Sequence, residues 1–233
     1  MVKNLTAAYY AKNTRRFVKQ FEKAFARYFM EKLAPFFSED QLAQIKKKSI
    51  DTFILVLNEL PFIGGDKNPM TQNLIQAAWF LSLYKVLKEY GKSTGEIGKL
   101  SYQIHENNIK KSPLLRLTLF LSSFFMFTKF SVRSMKKSAE KSQERLYPGD
   151  FIVEFVEGNG REFDFGLDTI QCPIYKVFSS QGAGDFTPYI CDLDFLRSQY
   201  LRSGLHRSKT LAEGGEKCNF RWKRKRKPQK ITP

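Results

Sequence analysis

Histidine is the scarcest chemically active residue in this chain: His105 and His206 are the only two in 233 residues. Cysteine is also sparse. Three cysteines, odd in number and widely spaced, exclude a secreted disulfide framework. None forms the Cys-x-x-Cys pair by which zinc and iron–sulfur sites are read from sequence, so no cofactor is expected, with a metal or cluster held by the three thiols and His206 as the alternative. A phosphate-cradling glycine loop and a nucleophile elbow are both missing. Residues 1–10 lack the apolar run of a signal peptide, so the expected location is cytoplasmic. The longest apolar run, residues 114–127, is interrupted by Arg116 and is shorter than the roughly 20 residues a spanning helix needs. It reads as a buried helix. The alternative is an amphipathic segment on an anionic membrane surface, with Lys110, Lys111, Arg116 and Lys129 beside Phe120, Phe124, Phe125 and Phe127.

Acidic residues are in deficit, 23 against 39 basic ones, for a net charge of +16. The basic residues cluster at 46–48, 133–141 and 223–227. Such charge favours anionic partners in general without naming one. Stacking aromatics are not interleaved with the basic runs, apart from Trp222, so no specific nucleic acid is expected. Residues 224–233 carry a single apolar side chain, Ile231, and read as a basic, mobile tail that is dispensable for folding.

Phenylalanine is abundant, with 22 residues, and a hydrophobic content of 42% is enough for a globular core. Phe17, Phe21, Phe25 and Phe29 recur every four positions and predict a helix over 14–33 that stops at Pro35. Ser38 is placed to cap a second helix, with Glu39 and Asp40 in its first turn. Thr71 is expected to cap a third, whose run 74–87 is apolar nearly all round and belongs in the middle of the fold. A fourth helix covers 94–111 and a fifth 114–145.

Pro148-Gly149-Asp150 marks a change in the apolar period from four to two. Phe151, Val153 and Phe155, then Phe163, Phe165 and Leu167, predict a hairpin around residues 157–160. Two helices follow, 173–180 and 188–202, each with proline at its first position, and Gly204 ends the second. A closing hairpin completes an antiparallel sheet of about four strands. The class is α+β: a helical region over 1–147, a sheet region over 148–223 packed with it as one domain, and the tail 224–233. The order of hairpin, two helices and hairpin is similar to the 4-vinyl reductase domain, an analogy of fold alone.

Cys172 precedes Pro173 at a helix start, where free N–H groups and the dipole favour a thiolate. The other reading is a small buried residue, the commoner role of a free cysteine. Cys191 shares a helix face with Asp194 and either faces the core or joins His206 and Arg207 just beyond. A four-residue loop over 213–216 would set Ser208 opposite Arg221 and Thr210 opposite Asn219. One sheet face would then hold His206, Ser208, Thr210, Asn219 and Arg221 as a carboxylate site, or as a plain solvent-facing surface. Cys218 falls on the other, packing face.

The aromatic strand ending at Cys172, the Cys191-Asp192 pair, Thr210-Leu211-Ala212-x-Gly and Cys218-x-Phe220-Arg221 follow one another over some sixty residues, with Gly64-Gly65 and Asn68-Pro69 upstream. In these elements the chain resembles the L-2-amino-thiazoline-4-carboxylic acid hydrolases, although Asn219 stands where that family carries an aspartate. The resemblance implies a hydrolase that opens a cyclic isothiourea or amidine C–N bond in a small carboxylate. Cys191 or Cys172 would be the nucleophile or a substrate contact, His206 the proton carrier and Asp194 the orienter. Arg207 or Arg221 would clamp the carboxylate, with Thr210 and Asn219 beside them. A non-enzymatic small-molecule or lipid-binding module is the alternative.

Overall fold

The four-residue phenylalanine period holds: Phe17, Phe21, Phe25 and Phe29 are all buried. The computed structural model describes residues 2–230, with side chains from Ala8 onward. The chain forms two compact units, each made of two stretches of sequence. One holds the residues up to 111 together with 173–190; the other holds 112–172 and the residues from 191 on. The change of period at Pro148 falls inside the second unit.

The first unit is helical. The first helix, α1 (Val2–Ala24), begins earlier than the apolar stripe suggested. It passes through a π-helical turn (Phe25–Phe29) into α2 (Met30–Leu33). The wider turn lets Phe25 and Phe29 stack, with ring centroids 5.3 Å apart. Ser38 caps α3 (Glu39–Glu59) in a reciprocal box, accepting from the Gln41 N–H at 3.3 Å while the Gln41 side chain accepts from the Ser38 N–H at 3.0 Å. The central helix α4 (Met70–Glu89) is buried on most sides, as its uniform apolarity requires, and touches α3, α5 (Thr94–Lys111) and α8 (Pro173–Ser180). Its cap is not Thr71, whose hydroxyl donates to the Gly65 carbonyl at 2.7 Å. Instead Asn68 Oδ1 accepts the Met70 N–H at 2.9 Å, because a short amide side chain reaches the N–H two residues on. Tyr189 of α9 (Thr187–Cys191) lies on Gly98, where an added Cβ would come within 2.2 Å of its ring.

The second unit is a sheet with helices. The helix expected over 114–145 is two, α6 (Pro113–Phe125) and α7 (Lys129–Ser142), bent by 95°. Thr128 breaks it: its hydroxyl accepts the Ser131 N–H and starts a new helix. The helix expected over 188–202 likewise divides at Asp192 into α9 and α10 (Leu193–Leu201).

Every described strand lies beyond residue 148, and the α+β class stands: β1 (Ile152–Glu157), β2 (Phe165–Gln171), β3 (Leu205–Arg207), β4 (Cys218–Trp222) and β5 (Gln229–Lys230). Their order in the sheet is β1-β2-β4-β3-β5. The sheet therefore has five strands, not about four, and it is mixed, since β5 runs parallel to β3.

The closing hairpin departs from the expected register by two residues. His206 faces Arg221 and Leu205 faces Trp222. The chain leaves the ladder at Ser208 because the Asn219 side-chain oxygen takes the N–H groups of both Ser208 and Lys209, each at 3.1 Å. A slip of two keeps every side chain on its own face, so the expected division into a polar and an apolar face survives.

The basic tail is a correction. Its residues 224–230 dock: the Arg224 N–H donates to Asp164 at 2.8 Å, β5 pairs with β3, and the Lys230 ammonium meets Asp192 at 3.1 Å and Glu213 at 2.8 Å. The expectation missed two sources of stabilisation, an unpaired strand edge and carboxylates within reach of the lysine. Residues 231–233 of that expectation lie outside the described residues. Deleting residues 224–233 is therefore expected to cost about 1–2 kcal/mol, since the pairs are half-exposed. The melting temperature should fall by roughly 2–8 °C, and an unchanged value in a thermal melt would count against the docking.

Candidate functional site

Alternation along the strands sorts the candidate residues onto two sheet faces. Phe165, Leu167 and Thr169 of β2 lie opposite Trp222, Phe220 and Cys218 of β4, and Leu205 and Arg207 of β3 continue that face. Phe165 stacks on Trp222 at 5.3 Å and Trp222 on Phe220 at 5.6 Å. Phe127, between α6 and α7, meets Phe165 at 5.5 Å, so this is the face the helices cover.

Arg207 sits at the edge of the aromatic row with only 2% of its side chain exposed. Its guanidinium carbon lies 4.8 Å from the Phe195 ring centre and 4.9 Å from that of Phe220. Nη1 donates to Asp194 Oδ2 at 2.7 Å and Nη2 to the Cys191 carbonyl at 2.8 Å, with Asp192 at 3.8 Å. Both terminal nitrogens of this arginine are thus spent on the protein.

Arg207 reaches both Asp194 and the Cys191 carbonyl, and Cys172 and Cys218 lie near enough that a thiolate at either would be felt at Cys191. The environment does not favour a thiolate. Burial, and then Asp194, push the Cys191 thiol well above its ordinary range, against the pull of Arg207. Burial also raises the Cys218 thiol, although the Leu211 N–H donates to its sulfur at 3.2 Å. Burial likewise pushes the Asp194 carboxyl up against Arg207; its side chain keeps 46% of its surface open, and water there limits the effect. Among the described residues, no three of His, Cys, Asp and Glu gather as a metal site.

The opposite face carries His206, Asn219 and Arg221, joined by Gly166 and Asp168 of β2. Gly166 lies beside Arg221, and a Cβ there would stand 2.7 Å from the arginine stem, so the bare backbone lets the side chain cross to β2. Arg221 Nη1 then donates to Asp168 Oδ1 at 2.6 Å, and Lys217 meets Asp168 Oδ2 at 2.6 Å. The Asp168 side chain is only 4% exposed. Burial raises its carboxyl, but the bonds from Arg221 and Lys217 outweigh that and hold it below its usual range. Arg221 keeps 23% of its side chain open, and its Nη2 and Nε have no partner among the described residues.

His206 lies directly across the ladder from Arg221, away from the thiols. Burial and the nearby Arg226 charge lower its imidazole below the ordinary value, against a hydrogen bond to the Lys227 carbonyl. That bond fixes one ring nitrogen as the donor and leaves the other as an acceptor at neutral pH. Two expected substrate contacts turn inward instead. Thr210 is buried and donates to Glu213 at 2.8 Å, while Asn219 holds the loop at Ser208 and Lys209 and donates to Ser208 Oγ at 2.6 Å. His105 on α5 lines a void of about 20 Å³ beside Trp79 within the first unit.

Sequence reasoning passed over Asp168 and Lys217. Lys217 directly follows the loop at 213–216, where spacing gives it no partner. Asp168 lay one residue past the aromatic alternation; the glycine two positions before it, mid-strand, was the available sign that a side chain crosses there.

Helices on one face of a small sheet, and on the other a buried carboxylate between two cations beside a neutral histidine, define an α+β protein with a polar, cation-bearing sheet face. A model of the L-2-amino-thiazoline-4-carboxylic acid hydrolases matches residues 72–222, well over half of the sequence, and the chain belongs to that family. No curated protein and no solved structure matches it.

Proposed function

We propose that this protein is a hydrolase that opens the ring of a small cyclic isothiourea or amidine carboxylate, using the polar sheet face. The family name supports hydrolysis, and one observation supports the location: the register sets His206 opposite Arg221, on the face away from the two thiols whose pKa is raised. Arg221, with Lys217 beside it, binds the substrate carboxylate through the donors that Asp168 leaves free. Asp168 positions both cations. The neutral His206 imidazole takes a proton from water as its oxygen bonds to the ring carbon between sulfur and nitrogen. The imidazolium passes that proton to the ring nitrogen, leaving a tetrahedral carbon; the restored base then carries the new hydroxyl's proton to the same nitrogen as the C–N bond breaks, which leaves a carbonyl and a primary amine. Neither step requires a thiolate.

The test is turnover of 2-amino-thiazoline-4-carboxylate by purified protein. Arg221→Met should raise KM by about 10–100-fold, the loss of a charge-assisted hydrogen bond, with a smaller effect on kcat. Cys191→Ser should stay within about threefold of the parent, because a raised thiol contributes no nucleophile. Absence of turnover on thiazoline carboxylates would overturn the reading. Loss of activity in Cys191→Ser with retention in Arg221→Met would return the chemistry to the thiol.

A further inference from the structure

The bend between α6 and α7 presents apolar side chains that the sheet does not use. Leu114, Leu117, Leu121, Phe124 and Phe125 recur at helical spacing along one stripe of α6 and are exposed, Leu114 to 73%; Phe130, at the start of α7, is exposed to 83%. Leu119, on the other side of α6, is buried, and Arg202 of the segment after α10 lies over Phe120 at 5.6 Å, so the helix is held by one face and bare on the other. An exposed, contiguous stripe of this kind marks an interaction surface.

Charge identifies the occupant. From residue 107 to 139 there are seven basic residues and no acidic one. Three of the seven are engaged by Glu106, Glu31 and Glu157. Arg116, Lys129, Arg133 and Lys137 make no ion pair among the described residues. Beside the bend, a depression of about 340 Å³ lined by Phe127, Val132, Asp164, Phe165, Lys223 and Arg224 adds further positive charge. A second copy of the chain would set two such cationic surfaces face to face, where like charges repel. A lipid surface of opposite sign satisfies both the stripe and the charge. No single described helix is long and apolar enough to cross a bilayer: 13 residues of α6 reach roughly 20 Å against a core of about 30 Å, and α7 leaves it at 95°.

We propose that the α6–α7 elbow docks this protein on the surface of an anionic bilayer. Phe124, Phe125 and Phe130 enter the acyl boundary, and Arg116, Lys129, Arg133 and Lys137 meet the headgroups. The full chain should sediment with vesicles of phosphatidylcholine plus phosphatidylserine, far less with phosphatidylcholine alone, and less as salt is raised. Neutralising Lys129, Arg133 and Lys137 together to glutamine should weaken binding on the order of a hundredfold, at about fivefold for each charge. The double variant Phe124→Asp/Phe130→Asp should weaken it at least about tenfold, and Phe130→Asp alone, at an 83% exposed ring, should weaken it with little change in melting temperature. Absence of sedimentation, equal binding to neutral vesicles, or elbow variants that bind like the parent would each overturn the proposal. So would a dimer in light scattering that Phe124→Asp dissolves, which would give the surface to a second copy.

Discussion

Replacing Arg207 by alanine should lower the unfolding free energy by about 2–4 kcal/mol, from the loss of charge-assisted hydrogen bonds and of ring packing, with the Asp194 part reduced because that carboxyl is half-open to water. A fall of this size moves the melting temperature on the order of 10 °C in a chain of this length. Three losses combine. Asp194 loses its cation in surroundings that already raise its carboxyl, the Cys191 carbonyl loses its donor, and Phe195 and Phe220 lose the flat group lying between them. Arg207→Met separates the contributions: it refills the space between the rings without restoring the charge, so it should recover the packing part alone. A cycle with Asp194→Asn isolates the pair, which is close enough to couple by about 0.5–3 kcal/mol. If Arg207→Ala melts with the parent, the guanidinium is not a structural element and its availability to a substrate reopens.

That outcome bears on how much of the site was legible in the sequence. Facial alternation is a local rule, so the separation of Asn219 and Arg221 from Cys218 and Phe220 was readable before any register was known, whereas His206 joins their face only because the slip is of two residues and not one. What Arg207 touches was not readable. Next to His206 in the strand, it faces the other side of the sheet, where Asp194 and Phe195 of α10 and Phe220 of β4 surround it. Long-range partners of this kind are set by packing, and neither spacing nor charge reports them. The same limit explains the tail. Composition alone gave residues 224–230 no reason to order, whereas a strand edge, Asp164, Asp192 and Glu213 supply one. The helix breaks at Thr128 and Asp192 were missed for a different reason: the apolar pattern continues through both, and only the Thr128 cap marks the first of them.

Replacing His206 by alanine should lower kcat on the thiazoline carboxylate by about 10²–10⁴-fold, the range for removing a positioned general base, while KM, governed by Arg221, changes little. The pH dependence gives a sharper test. The base must be neutral to accept a proton, and burial and Arg226 lower its pKa in the folded protein. Activity should therefore rise with pH along a limb whose midpoint lies below the ordinary histidine value of about 6.5. Deleting residues 224–233 removes both the charge of Arg226 and part of the burial, the two larger influences, along with the weaker opposing bond to Lys227. The midpoint should then move upward toward the ordinary value. With only two imidazoles in the chain, the titration can be followed directly by NMR, and His206→Gln identifies which resonance belongs to the site. A limb that tracks the His206 titration in both the full and the shortened chain would assign the proton transfer to this ring. A limb that stays in place while the His206 titration moves would take the base elsewhere on the polar face, with Asp168 excluded because its carboxyl stays ionised well below that pH range.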